Sequence, residues 1–175
     1  MRECYIFDID GCVMPPIFSN FNENEPRIEN VKSAIKNGNH VQLFPSFIEF
    51  YRKQCTTVES IFFITGRKYS EFGKLTENHL QNLSDFKDFR VIYYPERNDH
   101  KIQNYFAWKV KQIKGIIKNG IKSRLPHESS NRMAKFHIFD DMNDYFPKIR
   151  RIEDKWNVQI HLTLIESENN WKQLL

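Results

Sequence analysis

The sequence predicts an α/β domain in which a parallel, five-stranded sheet carries helices on both faces. Three observations predict it. Short apolar runs alternate with longer stretches of helical period, the pattern of right-handed βαβ units. The first four apolar runs are mostly continuous rather than alternating, as in strands covered on both sides. Polar clusters follow several of these runs, at the edge where open parallel sheets bind ligands.

The first strand is CYIFDI (4–9), followed by an irregular stretch over 12–42. FPSFIEFYRKQC (44–55) has apolar residues at 44, 47, 48 and 51, which is a helical face. SIFFIT (60–65) is the second strand, and YSEFGKLTENHLQNL (69–83) is helical, with apolar positions 69, 72, 75, 80 and 83. RVIYY (90–94) is the third strand, and 95–100 is irregular. IQNYFAWKVKQIKGIIKNG (102–120) repeats apolar positions at 102, 105, 106, 110, 113, 116 and 117, with Gly120 as a stop. After an irregular stretch, 121–134, FHIFD (136–140) is the fourth strand. DMNDYFPKIRRIEDKW (141–156) reads as a helix in which Pro147 sits in the first turn or makes a kink, and VQIHLTLI (158–165) is the fifth strand. No internal repeat and no linker divides the chain, so residues 1–175 read as one domain.

A hydrophobic content of 40% excludes a disordered chain. The net charge of +4 is compatible with an anionic partner without demonstrating one. Cys4, Cys12 and Cys55 are odd in number and lack metal-ligand spacing, which predicts reduced thiols and a cytoplasmic, intracellular protein. No apolar run reaches membrane-spanning length, and the N-terminus enters a strand pattern at once, where a signal peptide would not. Trp108, Trp156 and Trp171 read as packing residues, and Lys111, Lys114 and Lys118 as a solvated helix face.

Asp8 and Asp10 end the first strand, Thr65, Gly66 and Arg67 end the second, and Asp140 and Asp141 end the fourth, with Asp144 close behind. Taken singly, each aspartate reads as a helix or turn cap. Together, converging carboxylates repel one another unless a cation sits among them. An oxygen-only ligand set suits Mg²⁺, which leaves positions open for water and phosphate.

These residues resemble the motifs of the haloacid dehalogenase (HAD) superfamily. FDIDGCV resembles its first motif, Asp-x-Asp-x-(Thr/Val) after a strand; FFITGR resembles the second, a strand ending in Thr or Ser; IFDDMND resembles the fourth, a strand ending in paired acids. The resemblance implies a Rossmann-like core in which Asp8 is a nucleophile that forms an aspartyl-phosphate and Asp10 is the general acid and base. It implies that Mg²⁺ is held by Asp8, the backbone carbonyl of Asp10, and Asp140 or Asp141. It also implies that Thr65, Gly66 and Arg67 bind the phosphoryl oxygens. For the lysine of the third motif the resemblance favours Lys109, which follows aromatics in NYFAWKVKQI, with Lys101 as the alternative. In the fourth motif either Asp141 is the main ligand, or Asp140 and Asp144 form the pair.

Caps in this superfamily are inserted after the first motif or after the third strand. Residues 12–43 and 95–101 are short for such a domain, so the expectation is a capless or nearly capless site. An open site admits large substrates, and the Thr-Gly-Arg and Asp-Asp motifs resemble those of polynucleotide 3′-phosphatases. The resemblance therefore implies a phosphomonoester hydrolase, with a nucleic acid 3′ end as one substrate. Two alternatives are a phosphatase of small nucleotides or sugar phosphates and a phosphate-binding module without turnover. The basic loop 121–135 reads as solvated or as a contact for a polyanion.

Overall fold

The computed structural model describes residues 3–15, 42–96, 102–122 and 134–175. The expectations about Lys101, most of the 12–43 stretch and most of the 121–135 loop therefore lie outside the described residues. Strands β1 (Glu3–Phe7), β2 (Ser60–Lys68), β3 (Arg90–Tyr94), β4 (Lys135–Asp140) and β5 (Gln159–Leu164) form one sheet in the order β3-β2-β1-β4-β5. Every pairing is parallel. The chain steps outward from β1 on one side, then returns to build the other side from β4. Strand order therefore reverses between β1 and β4, the place where open α/β sheets leave a crevice.

The continuous apolar strands are explained by two cores. Along β1, Tyr5 and Phe7 point to one face, while Cys4 and Ile6 point to the other. The first face packs on helix α1 (Pro45–Phe50), its π-helical continuation Tyr51–Cys55, and the C-terminal end of α2 (Tyr69–Leu80). The second packs on α3 (Ile102–Lys122) and α4 (Phe146–Trp156). Helix α4 begins at Phe146 rather than at 141, which puts Pro147 in its first turn, where it costs no hydrogen bond.

Other features also differ from the sequence reading. Helix α3 does not stop at Gly120 but runs on to Lys122. A Cβ at Gly120 would lie 3.1 Å from the Phe136 ring, so this glycine serves close packing of α3 on β4 rather than termination. Strand β2 extends past Thr65 through Gly66 and Arg67 to Lys68, with a slip in its pairing to β3: Thr65 faces Tyr93, and Lys68 faces Tyr94. Such a bulge re-aims side chains at the strand end. Finally, a short helix α5 (Glu168–Gln173) closes the first core. Its Trp171 is fully buried, donates its indole N–H to the Cys12 carbonyl at 2.7 Å, and packs against Phe47 and Phe50 with ring centroids 4.9 and 5.0 Å apart. Ser46 at the start of α1 donates its hydroxyl to the Glu168 carbonyl at 3.2 Å, joining the two helices. Trp171→Ala is therefore expected to destabilise the fold by about 3–5 kcal/mol, measurable by denaturant unfolding.

His137 on β4 and His161 on β5 are cross-strand neighbours whose rings stack 4.7 Å apart. Burial, and then His161, lowers the His137 pKa to about 4 from 6.5. Glu3 on β1, 3.9 Å away, pulls the other way, and Lys135 adds to the lowering. The folded state thus disfavours a proton that the unfolded chain accepts below about 6.5, so this residue's contribution to stability is lost as pH falls from about 6.5 to about 4. His137→Phe keeps a ring beside His161 and should shrink the loss of Tm between pH 7 and pH 5, a difference read from paired thermal melts.

Candidate active site

The site stands at the carboxyl ends of β1, β2 and β4. Asp8 follows β1, and its backbone N–H donates to the Phe139 carbonyl of β4 at 2.9 Å, locking the two strand ends together. Lys109 reaches this point from the middle of α3. Its ammonium is 2% exposed, donates to Asp8 Oδ1 at 2.6 Å and forms an ion pair with Asp140 Oδ2. Tyr105, one helical turn earlier, donates its hydroxyl to the same Asp8 Oδ1 at 3.1 Å. Tyr145 donates its hydroxyl to Asp140 Oδ2 at 2.5 Å. The Lys109 ammonium lies 5.2 and 5.6 Å from the centroids of the Tyr105 and Tyr145 rings.

Asp8, Asp140 and Asp141 each offer a carboxylate oxygen, all within 4.8 Å of one another. Among the described residues, one ammonium is in contact with them, that of Lys109. Burial would lower the lysine's pKa, but Asp140 and then Asp8 outweigh it and hold the group charged, well above its usual range. Burial pushes Asp8 well above the ordinary carboxylate range, and Asp140 and Asp141 push it further against the pull of Lys109. Burial, followed by Asp140, raises Asp141 to about 7. Buried acids with this excess of negative charge are relieved by a bound cation, and the all-oxygen donor set fits a hard divalent ion.

Gly11 makes the cluster possible. Its φ of +83° lies in the left-handed region, and a Cβ there would overlap the Asp141 carboxylate.

Asp10 lies apart from the cluster. Both its oxygens are taken in a fork by Arg67: Nη2 to Oδ1 at 2.6 Å and Nε to Oδ2 at 2.9 Å. Arg67 is 1% exposed, and its Nη1 donates to Thr76 Oγ1 of α2 at 2.9 Å. The sequence reading set Arg67 against a phosphoryl group; in the fold its guanidinium is turned inward, onto Asp10. Thr65 is buried, and its hydroxyl oxygen accepts the Arg67 backbone N–H at 3.1 Å. Gly66 lies under the Tyr105 ring, 3.4 Å from where its Cβ would be. Asp144 is exposed and outside the carboxylate cluster. Cys12 is buried, and burial and then Asp8 push its thiol well up, which keeps it protonated and a poor nucleophile.

The structure thus brings Asp8, Lys109, Asp140 and Asp141 together, and joins Asp10 to Arg67 beside Thr65. The sequence reading missed Tyr105, Tyr145 and Thr76. For Tyr105 a signal existed: it precedes Lys109 by four residues on a helix and so shares its face.

No protein-family model matches the chain, and no curated protein matches it. Among solved structures it is similar to the HAD domain of the effector protein Lem4 from Legionella pneumophila, with a TM-score of 0.52 and 10% identity, covering 99% of this chain and 91% of that one. It is also similar to an inactive mutant of the same domain, with a TM-score of 0.54, 12% identity and the same coverage. At this identity the likeness shows the fold. The five-stranded parallel sheet with its flanking helices is the haloacid dehalogenase fold.

A divalent cation in the carboxylate cluster should stabilise the protein. With Mg²⁺ as the probe at about 100 times its Kd, the gain is expected to be about 2.7 kcal/mol. Gly11→Ala should abolish most of that gain by displacing Asp141. Thermal melts with and without Mg²⁺ measure both, and an undiminished gain in the variant would remove Asp141 from the cation site.

Proposed function

We propose that the chain is a Mg²⁺-dependent phosphomonoester hydrolase working through an aspartyl-phosphate on Asp8. The observation that carries this reading is the buried Lys109 ammonium bound to both Asp8 and Asp140, beside Asp141. A lysine so placed holds a nucleophilic carboxylate at the sheet's crevice and offsets the charge that a phosphoryl group brings. Asp8, Asp140 and Asp141, with the Asp10 carbonyl, would hold the Mg²⁺, which supplies charge neutralisation at the phosphoryl oxygens.

In this reading an Asp8 oxygen attacks phosphorus. The bond from phosphorus to the leaving oxygen breaks, and that oxygen takes a proton from Asp10. Asp10 then takes a proton from water, the water oxygen attacks the aspartyl-phosphate, and phosphate departs with Asp8 restored. The Thr65 hydroxyl can donate to a phosphoryl oxygen while accepting from Arg67 N–H. Arg67 orients Asp10. For an Asp10 oxygen to meet the leaving group, it must use a lone pair not taken by Arg67, or the fork must open.

We read the site as capless and its substrate as large or polymeric, such as a nucleic acid 3′ end. The support is the shortness of the sequence segments where caps are inserted. The three buried free thiols suit a reducing, cytoplasmic setting.

The test is hydrolysis of para-nitrophenyl phosphate. Activity should require Mg²⁺ and vanish with chelator, and Asp8→Asn should fall to background while keeping the wild-type Tm within a few degrees. A near-wild-type rate in Asp8→Asn would sink the covalent mechanism. A 3′-phosphorylated oligonucleotide compared with its mononucleotide tests the substrate class.

A further inference from the structure

We propose that Tyr105 is a positioning residue for Asp8, its hydroxyl fixing, together with Lys109, the rotation of the attacking carboxylate. This rests on the reading of Asp8 as nucleophile. The Tyr105 hydroxyl at 3.1 Å and the Lys109 ammonium at 2.6 Å converge on one oxygen, Asp8 Oδ1. The two donors lie one turn apart on the same helix, so α3 presents them as a rigid pair.

The Tyr105 ring is itself confined. Its centroid lies 5.7 Å from that of Tyr94, edge to face, and 5.9 Å from that of Trp108. Gly66 of β2 leaves room for its edge, since a Cβ there would meet the ring at 3.4 Å. A ring held on three sides delivers its hydroxyl to one point.

An aspartate attacks phosphorus with one oxygen, and a carboxylate free to rotate about Cβ–Cγ spends time misaligned. Two donors on Oδ1 stop that rotation and direct Oδ2, which carries neither contact, towards the incoming phosphorus. In the step, the bond from Oδ2 to phosphorus forms, the bond to the leaving oxygen breaks, and the leaving oxygen takes its proton from Asp10. Tyr105 gives up no proton and remains a donor to Oδ1 throughout.

The test is Tyr105→Phe, which keeps the ring and its packing and removes only the hydroxyl. The expected result is a kcat about 10-fold lower on para-nitrophenyl phosphate with Mg²⁺, with KM within about 2-fold, the scale of one hydrogen bond to a charged group. A ring that only packs would leave kcat unchanged in Tyr105→Phe, and that result overturns the proposal. A second measurement needs no turnover and no Tyr105 variant. The wild-type proton NMR spectrum should contain a slowly exchanging, downfield tyrosine hydroxyl resonance that moves in Asp8→Asn. Its absence, or its indifference to Asp8→Asn, also overturns the proposal. If the wild type is inert on every phosphomonoester yet shows the Asp8-dependent resonance, the hydrolase reading fails while Tyr105 stands as the residue that sets Asp8.

Discussion

The Lys109 ammonium, buried between Asp8 and Asp140, is the contact on which the rest of this molecule is arranged. A charge that deep is tolerated only when paired and hydrogen-bonded. Removing one partner of such a pair typically costs about 3–5 kcal/mol, because the other charge is left stranded. The ion pair therefore constrains three elements at once: β1, which ends in Asp8; β4, which ends in Asp140; and α3, which carries the lysine across the crevice between them.

The sheet order makes that constraint possible. Only where strand order reverses do two adjacent strands send their connections to opposite sides, leaving an opening that a helix-borne side chain can enter. Two aromatic and aliphatic cores clamp the sheet from both faces, and α5 seals one of them through Trp171. The remaining negative charge is left for a cation or a proton, as the raised Asp8 and Asp141 show.

A second polar assembly lies alongside the first. Arg67 spans from Thr76 on α2 to Asp10, so the two carboxylates of the first motif have different partners: Asp8 has a lysine and a tyrosine, Asp10 an arginine. Two acids one residue apart are thereby given separate surroundings, which is the physical condition for separate chemical roles. Arg67 lies two residues past Thr65 on β2, on the same buried side of the strand.

The sequence by itself determined the strands and three of the four long helices closely, because each bears a strong periodic or continuous apolar signal that local chain geometry must obey. It also placed the acids at strand ends, since in a parallel sheet the residue after an apolar run has only one edge to occupy. It favoured Lys109 over Lys101 on the aromatics before it but could not show either reaching Asp8, nor foresee that Arg67 would face Asp10. Those choices depend on the angle at which α3 crosses the sheet and on which side chains meet beside the end of β2, neither of which leaves a period in the chain. Gly120 read as a helix stop because a glycine's backbone freedom is visible in sequence, whereas the Phe136 ring it makes room for is not. In the sequence Tyr105 counts only as an apolar position of its helix, and Tyr145 carries no signal. Only the tertiary structure aimed their hydroxyls at Asp8 and Asp140, because a side chain's apolar body fixes where it is buried and the neighbouring elements fix what its polar tip meets.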